Sequence, residues 1–559
     1  MSDIELFYEK TSVLVRGKKQ DEIKKVLDRF AADYQERCLL VYEENPFILV
    51  TDYGLPFEAT RAKRGLCDLH ESLILIPTFR MHLKAMYALI FDLLRTNEGK
   101  GNSFESLRDL YLKVRHFCPY MTKERLRCYL YHFEESFYYD PVRDIVGFLF
   151  RRNQEIFIYS KIKDMVPRDF SEEASLYPDY ELLDKEQNDA VRTVLSGGLT
   201  ILTGGPGTGK TSTVRGLLSF YKKTHPDALI SLLAPTGKAA RRLTESISGY
   251  GAASTISSLT FSMKMHGVQK NSVYYDLMVI DESSMITTKD FYELLYHINI
   301  RQLILVGDID QLPSVGCGNI LSDILSMGAK TAYLKTNHRN QGNIFENADK
   351  IKKKQTDLIF GDDFSFIDTL DRDLIDRAVR LRGTDEDTMI LTPYKKQAVE
   401  INRRIHEQYF RVEDYQPGDR VMFLKNDKPR GWMNGDMGTV KRFEEGNVII
   451  VELMDADKTE VVVREKDLSE MTYGYAMTVH KSQGSEYKNC IILLPKNTAS
   501  FFSRKLLYTA VTRARESVIL LGSEKALTKI ITSETEDRRD TFLGSLIREE
   551  KEAAVRAAA

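Results

Sequence analysis

A glycine-rich segment at residues 204–211, with the sequence GGPGTGKT, carries the clearest chemical pattern in the chain. It follows the apolar and β-branched run Leu199–Thr203 and precedes helical patterning, so it fits the phosphate-binding loop G-x-x-x-x-G-K-S/T. Glycines let backbone N–H groups converge on phosphate oxygens, and the helix start adds partial positive charge. We therefore expect a bound nucleotide, with Lys210 at its β- and γ-phosphates and Thr211 holding Mg²⁺. The residues expected to surround its phosphates are Gly204, Gly205, Pro206, Gly207, Thr208, Gly209, Lys210, Thr211 and Ser212.

Other polar residues next to predicted strands have the chemistry that hydrolysis of this nucleotide would need. Asp281 and Glu282 directly follow the apolar run Leu277–Ile280. Asp281 can anchor Mg²⁺ through its water shell, and Glu282 can orient and deprotonate the attacking water. Gln311 has an amide that can sense a γ-phosphate, and Gln187 can bind an adenine edge with its donor and acceptor.

These residues can meet only if parallel strands carry them to one edge of a sheet. From Glu181 onward, apolar strands alternate with helices, which predicts an α/β lobe over 181–335 and a second over 336–410 and 471–530. The β-rich stretch 411–470, with N-G and G-D turns, predicts a small barrel inserted in the second lobe. The predicted strands are Leu199–Thr203, Leu229–Ala234, Leu277–Ile280, Leu303–Val306, Thr388–Thr392, Ile491–Leu494 and Val518–Leu521.

Residues 1–180 carry no catalytic motif, and we expect an accessory region that contacts a partner or DNA. A helix over Met121–Phe137, opened by Thr122, is followed by two apolar runs, Ile145–Phe150 and Glu155–Tyr159. A helix followed by a hairpin suggests a winged-helix-like module, although a plain structural core has the same pattern. Residues 167–180 are polar and predict a linker, and 531–559 predict a helical tail.

Composition narrows the classes of protein that fit. The net charge of −2 excludes a simple polybasic nucleic-acid binder, so any nucleic-acid site must be a local groove. The six cysteines are scattered without a C-x-x-C pair, which indicates reduced thiols rather than a metal site or disulfides. The absence of a long apolar run and of a signal-like N-terminus predicts a cytoplasmic protein without a membrane segment.

The order of the motifs is itself informative. In chain order they are DKEQ, GGPGTGKT, APTGKAA, VIDESSMI, GDIDQLPSVGCGNIL, NHRN, NGDMGTV, TVHKSQGSEY and YTAVTRAR. This series resembles the superfamily 1 DNA helicases, specifically the RecD-like group, over residues 181–525. The resemblance implies two RecA-like lobes with ATP between them, an SH3-like barrel insertion, 5′-to-3′ movement on single-stranded DNA and a role in DNA repair or recombination.

The resemblance also implies roles by position in the motifs. Gln187 would contact adenine, Gln311 would couple ATP to DNA, and Glu486 would hold the ribose. Arg339 and Arg513 would be arginine fingers from the second lobe, whose guanidinium groups reach the γ-phosphate only when the lobes close. The implied DNA contacts are Pro235, Thr236, Gly237, Lys238 and Thr255 in the first lobe and Thr478, His480, Lys481, Ser482 and Gln483 in the second.

Two features depart from the pattern of the group, and the role of a third residue stays open. Thr255-Ile256-Ser257 stands where the group has Thr-Ile-His, which leaves one DNA contact of the group open. The duplex-splitting hairpin of the group would be short here, over about 261–274. Trp432 is the one tryptophan, and either DNA contact or barrel packing accounts for it.

The sequence thus predicts an ATP-dependent 5′-to-3′ DNA helicase acting on single strands and duplex junctions. One alternative is the motor subunit of a RecBCD-like helicase–nuclease, whose partner subunits would supply the nuclease. Another is a phosphate-loop ATPase that is not a motor. Phosphate contacts do not report a 2′-hydroxyl, so an RNA track also stays open.

Overall fold

The computed structural model describes residues 20–38, 47–56, 76–247, 249–338, 342–412, 414–445, 448–454, 458–496, 502–533 and 539–558, with the single positions 4, 7, 8, 11, 41 and 45. The chain forms two compact units. The first comprises Met1–Phe157, Gly316–Gly318 and Arg539–Ala559, and the second comprises Ile158–Val315 and Asn319–Arg538. No helix among the described residues is long and apolar enough to cross a membrane.

The elements are numbered here in chain order. The helices are α1 Gln20–Tyr34, α2 Ile48–Thr51, α3 Ile76–Gly99, α4 Leu107–Phe117, α5 Lys123–His132, α6 Leu149–Met165, α7 Ser171–Ser175, α8 Lys185–Leu195, α9 Lys210–Thr224, α10 Gly237–Ser246, α11 Ile256–Met265, α12 Thr288–His297, α13 Ile320–Met327, α14 Asn343–Lys352, α15 Leu374–Arg382, α16 Lys395–Phe410, α17 Arg504–Val511, α18 Glu524–Ile531 and α19 Phe542–Ala558. The strands are β1 Phe104–Ser106, β2 Phe137–Asp140, β3 Ile145–Phe148, β4 Leu199–Gly204, β5 Ile230–Ala234, β6 Ser254–Thr255, β7 Val273–Ile280, β8 Ile298–Gly307, β9 Lys330–Leu334, β10 Phe364–Asp368, β11 Thr388–Thr392, β12 Arg420–Phe423, β13 Met437–Glu444, β14 Val448–Leu453, β15 Glu460–Arg464, β16 Met471–Tyr473, β17 Ala476–Thr478, β18 Tyr487–Leu494 and β19 Ala514–Gly522.

The first unit packs helices against a small antiparallel sheet in the order β1-β3-β2. Thr122 caps α5, as predicted, by accepting a hydrogen bond from the backbone N–H of Arg125. The predicted hairpin is wrong in its second half, because Glu155–Tyr159 lies inside helix α6. The strand β3 pairs instead with β2, of which only the first residue, Phe137, lies within the predicted helix.

The C-terminal helix α19 belongs to this first unit rather than standing apart as a tail. The ring of Phe542, at the start of α19, lies 5.1 Å from the ring of Phe104 and 5.6 Å from that of Tyr138. Burial of these aromatic faces joins the C-terminal helix to the small sheet in one core.

Two parallel sheets organise the second unit. The first lobe has the strand order β6-β5-β7-β8-β4-β9 and the second lobe has the order β10-β19-β18-β11-β17, with every pairing parallel. All seven predicted strands are present, some of them longer than predicted. Their apolar side chains are buried, as expected of parallel strands covered by helices on both faces.

The predicted duplex-splitting hairpin at 261–274 is absent from the first lobe, every residue of which from 249 to 338 is described. This stretch comprises the end of α11, a loop and the start of β7. Thr255 caps α11 by accepting a hydrogen bond of 3.0 Å from the N–H of Ser258, so the segment continues as helix where a hairpin was expected.

The insertion in the second lobe is an antiparallel sheet of five strands in the order β15-β14-β13-β12-β16. Trp432 is fully buried in its core and stacks on Phe423, with the ring centroids 4.7 Å apart. Of the two interpretations of Trp432, packing inside the insertion is the one that its burial supports.

Candidate functional site

The phosphate-binding loop lies between the end of β4 and the start of α9. Gly207 and Gly209 have φ angles of +77° and +79°, which residues with a side chain disfavour, so the loop needs glycine at both turns. The Nζ atom of Lys210 donates hydrogen bonds to the carbonyl oxygens of Gly204 at 2.7 Å and Gly205 at 2.9 Å. The ammonium group therefore lies within the loop, where phosphate oxygens would compete with these carbonyls for it.

Gln187 lies in the first turn of α8 and is buried against this loop. The carboxylate of Asp184 accepts from the N–H of Gln187 at 2.8 Å, while the Gln187 amide oxygen accepts from the N–H of Asp184 at 3.2 Å. This capping box fixes the glutamine side chain. Its Nε2 atom is so close to Gly209 that a Cβ at position 209 would collide with it. The amide thus stands beside the loop, as an adenine contact requires.

His338 is a neighbour of the loop that the sequence analysis missed. The backbone N–H of His338 donates to the carbonyl of Gly207 at 2.9 Å. Its ring atom Nε2 lies 2.9 Å from the carboxylate of Asp184. The available signal was its position in NHRN, directly before the predicted finger. That finger, Arg339, lies outside the described residues.

The acidic pair Asp281 and Glu282 follows β7, as predicted. Glu282 has a φ of +49°, a conformation that costs a residue with a side chain about 1–2 kcal/mol. Its N–H donates to the Asp281 carboxylate at 2.8 Å. Burial, followed by the neighbouring charge of Glu282, raises the pKa of Asp281 to about 6. A strained backbone at Glu282 and a raised pKa at the adjacent Asp281 are features that cluster at functional sites.

Gln311 lies in the loop after β8 and is buried. Its Nε2 donates to the carboxylate of Asp308 at 3.3 Å. Its Oε1 is a buried acceptor for which the described residues supply no hydrogen-bond donor. Lobe 2 contacts the same loop at Leu312, whose N–H donates to the Thr509 hydroxyl at 3.0 Å and whose carbonyl accepts from Gln483 at 3.1 Å.

A cleft of about 510 Å³ brings most of the predicted ATP-site residues together, whereas Gln187 does not line it. Those of lobe 1 are Pro206, Gly207, Gly209, Lys210, Thr211, Ser212, Asp281, Glu282 and Gln311, and those of lobe 2 are Glu486 and Arg513. The cleft is also lined by residues that the sequence analysis did not single out, among them Arg215, Arg242 and His338. Gly204, Gly205 and Thr208 line a neighbouring cavity of about 600 Å³.

The two predicted lobe 2 residues in this cleft already have protein partners. Arg513 is buried and donates to the carbonyl oxygens of Thr509 at 3.0 Å and Ser485 at 3.1 Å. The carboxylate of Glu486 is held between the guanidinium groups of Arg242 at 2.9 Å and Arg515 at 3.1 Å. The ion pair between Glu486 and Arg242 joins the two lobes.

The predicted DNA segment of lobe 1, Pro235 to Lys238, begins helix α10. Thr236 caps the helix by accepting a hydrogen bond of 3.3 Å from Ala239. Burial lowers the pKa of Lys238 to about 8. The insertion contacts this segment at Gly237, against which Met433 lies. Lys238 lines a cavity of about 500 Å³ that lies between the lobes and the insertion.

The predicted DNA segment of lobe 2 divides into two parts. Thr478, His480 and Lys481 are partly exposed, and burial lowers the pKa of Lys481. Ser482 and Gln483 are buried and bond within the protein, Ser482 to the carbonyl of Val479 at 2.8 Å and Gln483 to the Leu312 carbonyl. The side chains of Ser482 and Gln483 thus face the protein interior rather than an open DNA surface.

Two family models match this chain. An AAA domain matches residues 182–372, and a UvrD-like helicase C-terminal domain matches residues 473–521. A helicase of known structure, Pif1 from Bacteroides in complex with ADP-AlF3 and single-stranded DNA, is similar at 20% identity and a TM-score of 0.42, over 67% of this chain and 98% of that one.

Curated relatives are more similar in sequence. The RecBCD enzyme subunit RecD of Mycobacterium tuberculosis is 30% identical over 404 residues, which cover 61% of this chain and 70% of the relative. That of Mycolicibacterium smegmatis is 31% identical over 401 residues, covering 61% and 71%. The ATP-dependent RecD2 DNA helicase of Deinococcus radiodurans is 30% identical over 387 residues, covering 66% of this chain and 52% of the relative. With its phosphate loop, its acidic pair and its two parallel lobes, this chain belongs to the RecD family of ATP-dependent DNA helicases.

Proposed function

We propose that this helicase uses ATP hydrolysis to move 5′ to 3′ along single-stranded DNA and to separate the duplex at a single-strand junction. One observation supports this most directly: the 510 Å³ cleft is lined by Lys210 and Glu282 of lobe 1 and by Arg513 of lobe 2. A nucleotide bound there would contact both lobes and bias their closure, as a translocating motor requires. The direction of movement rests on the resemblance of the ordered motifs to the RecD-like group.

The proposed chemistry follows from the side chains of lobe 1. Lys210 exchanges its two carbonyl partners for the β- and γ-phosphates of ATP. Glu282 orients the attacking water and takes its proton, while Gln311 offers its amide to the γ-phosphate. Gln187 reads the adenine, because its capping box leaves Nε2 directed at the loop.

Thr211 and Asp281 are the proposed ligands of Mg²⁺. Both side chains line the cleft, one at the start of α9 and the other at the end of β7, and both supply the oxygen atoms that this ion prefers. When bound, the ion neutralises charge on the phosphate oxygens of ATP. Asp281 itself is held by the N–H of Glu282, which orients its carboxylate toward the cleft.

Arg513 is the proposed arginine finger of lobe 2, with Arg339 as the second. Arg513 now donates to two backbone carbonyls, which hold the guanidinium group inside the protein. A γ-phosphate carries more negative charge than a carbonyl, so closure over ATP would draw the group to it. Glu486 is the proposed ribose contact, and it would have to give up one of its two arginine partners to serve as one.

The proposed DNA track crosses the N-terminus of α10 in lobe 1, including Thr255 nearby, and the segment Thr478–Lys481 in lobe 2. Hydroxyls, backbone N–H groups and lysines bind phosphates without reading sequence. The five-stranded insertion is the proposed SH3-like barrel of the group. The helix α5 with the sheet β1-β3-β2 is the proposed winged-helix-like module of the N-terminal unit.

A second candidate function is that of the motor subunit in a helicase–nuclease complex. It is favoured by the relatives named RecBCD enzyme subunit RecD, of which this chain covers 70% in Mycobacterium tuberculosis. In that case the partner subunits would supply the nuclease, and the complex would act in DNA repair or recombination.

Unwinding of tailed duplexes by the isolated chain tests these proposals together. Duplexes of DNA and of RNA with a 5′ tail, a 3′ tail or blunt ends are incubated with ATP and Mg²⁺, and Lys210→Ala serves as the inactive control. We expect strand separation of 5′-tailed DNA only. Separation of 3′-tailed DNA alone would overturn the proposed direction, and ATP hydrolysis stimulated by DNA without strand separation would favour the subunit role.

A further inference from the structure

Arg242 is a charged residue of the ATP cleft to which neither the motifs nor the proposed chemistry gives a role. It lies on helix α10, four residues after Lys238. Positions four apart lie on one face of a helix, so the proposed DNA contact and Arg242 share a face. Arg242 lines both the ATP cleft and the 500 Å³ cavity beside the DNA segment. Helix α10 is therefore one rigid element that connects the ATP cleft to the proposed DNA segment.

Arg242 meets the opposite lobe through a single carboxylate. Its guanidinium lies 2.9 Å from one oxygen of Glu486, and the guanidinium of Arg515 lies 3.1 Å from the other oxygen. Glu486 is thus fixed by one cation from each lobe. An arginine donates through a planar fork, so it holds the orientation of a carboxylate as well as its charge.

Arg242 also faces the acidic pair. Burial lowers the pKa of Arg242, but the charges of Glu486, Glu282 and Asp281 outweigh burial and the net shift is upward. The three carboxylates whose charges act on this cation include the proposed water-activating residue and the proposed ribose contact. A displacement of Arg242 would therefore alter the electrostatics at both ends of the bound ATP.

We propose that Arg242 is a positioning residue that couples DNA binding at the N-terminus of α10 to ATP hydrolysis, acting through Glu486 of the opposite lobe. In this proposal DNA phosphates bind the first turn of α10, and the rigid helix fixes the position of Arg242. Through its ion pair, Arg242 then keeps Glu486 in the position required when the lobes close. This inference rests on the proposed function, since it needs a DNA-stimulated ATPase.

The test compares ATP hydrolysis by the full chain with and without saturating single-stranded DNA. The variants are R242Q, R242K, E486Q and the double variant R242Q/E486Q. R403Q is the matched control, because Arg403 is an exposed arginine that pairs with Glu400 and Glu407 on the surface of α16. Thermal unfolding of each variant checks that it is folded, and DNA affinity is measured without nucleotide.

We expect R242Q to lower the stimulation by DNA about tenfold, within the roughly 5- to 150-fold range of measured couplings between sites. DNA affinity without nucleotide should stay close to that of the wild type, and R242K should recover part of the stimulation because it keeps the charge without the fork. The double variant should be no worse than the more affected single variant, because both substitutions break one pair.

Stimulation of R242Q equal to that of R403Q would overturn the inference, as would full additivity of R242Q and E486Q. If R242Q does not fold, an R242K variant with wild-type stimulation and wild-type KM for ATP overturns it in the same way. A wild-type chain whose ATPase ignores DNA would refute the proposed function, and the inference with it. A wild-type chain that responds to DNA, with an R242Q variant that responds equally, refutes the inference alone.

Discussion

The hydroxyl group of Tyr508 donates a hydrogen bond of 2.8 Å to the carboxylate of Asp308. Tyr508 belongs to α17 of lobe 2, five residues before Arg513, and Asp308 belongs to the lobe 1 loop that carries Gln311. The same carboxylate oxygen accepts from the Gln311 amide at 3.3 Å. Both Tyr508 and Asp308 are buried, and burial raises the pKa of Asp308. One oxygen atom therefore links the proposed γ-phosphate sensor to the helix that precedes the proposed finger.

Removal of this hydroxyl in Tyr508→Phe should slow DNA-stimulated ATP hydrolysis. A hydrogen bond to a charged group contributes about 1.5–3 kcal/mol, and its loss leaves a buried carboxylate short of one donor. We expect kcat to fall about tenfold, because Gln311 and α17 lose their shared partner, with a smaller change in the KM for ATP. Steady-state kinetics at saturating DNA measures both constants.

Tyr274→Phe is the matched control, since Tyr274 donates to Asp276 at 3.1 Å in an exposed pair outside the cleft. This substitution removes a hydrogen bond of the same kind, from a tyrosine hydroxyl to a carboxylate, and leaves the contact between the lobes intact. Equal kcat values for the two variants would show that the Asp308 bond has no part in the reaction.

Substitution of Glu282 by Gln should separate ATP binding from hydrolysis. The amide keeps the shape of the side chain but cannot accept a proton, and general-base catalysis contributes about 10²- to 10⁴-fold to a rate. We expect single-turnover hydrolysis to fall by about that range while the equilibrium affinity for a fluorescent ATP analogue is retained. Glu293→Gln is the control, because Glu293 pairs with Lys264 on the surface at 2.7 Å. Hydrolysis by E282Q at the rate of E293Q would remove Glu282 from the reaction.

The affinity for single-stranded DNA should fall as the pH rises from 7 to 9. Burial lowers the pKa of Lys238 to about 8, so free protein loses this positive charge within that interval. A phosphate binds only the protonated amine, and DNA binding is therefore favoured below pH 8 and weakened above it. Because DNA binding is linked to the protonation of this one amine, the affinity for DNA should fall by at most about tenfold between pH 7 and 9. Fluorescence anisotropy of a labelled oligonucleotide measures it.

Lys238→Arg provides the contrast for this pH dependence, because arginine keeps its charge over the whole interval. We expect its DNA affinity to be flat from pH 7 to 9. A wild-type affinity that does not change with pH would mean that Lys238 makes no charged contact with DNA.

Much of the ATP site could be predicted because its determinants are local. Gly207 and Gly209 specify the loop through their own φ angles. Lys210 begins α9 and Asp281 directly follows β7, and both elements are visible as patterns in the sequence. The parallel sheets then bring the strand ends to one edge. Each of these steps needs only short-range pattern and the geometry of a parallel sheet.

The features that could not be predicted depend on contacts between distant segments. Glu155–Tyr159 has the apolar, β-prone composition of a strand, but it lies within helix α6, where tertiary packing overrides local propensity. The pair of Arg242 and Glu486 joins residues 244 positions apart, and no spacing in either motif indicates it. The inward direction of Gln483 likewise depends on Leu312, which lies in the other lobe.

Trp432 should behave as a core residue of the insertion and not as a DNA contact. Its ring is covered by Phe423 on one face and approached by the guanidinium of Arg430, whose centre lies 4.8 Å from the ring centroid. Its indole N–H is a buried donor for which the described residues supply no acceptor.

Trp432→Ala should destabilise the insertion by about 3–5 kcal/mol, as expected for the loss of a large buried aromatic side chain. Trp432→Phe should cost much less, because phenylalanine fills most of the space and removes the unpaired donor. Scanning calorimetry of the insertion's transition, with DNA affinity measured on both variants, checks this. A loss of DNA affinity in Trp432→Phe with an unchanged transition would instead make Trp432 a base-stacking residue.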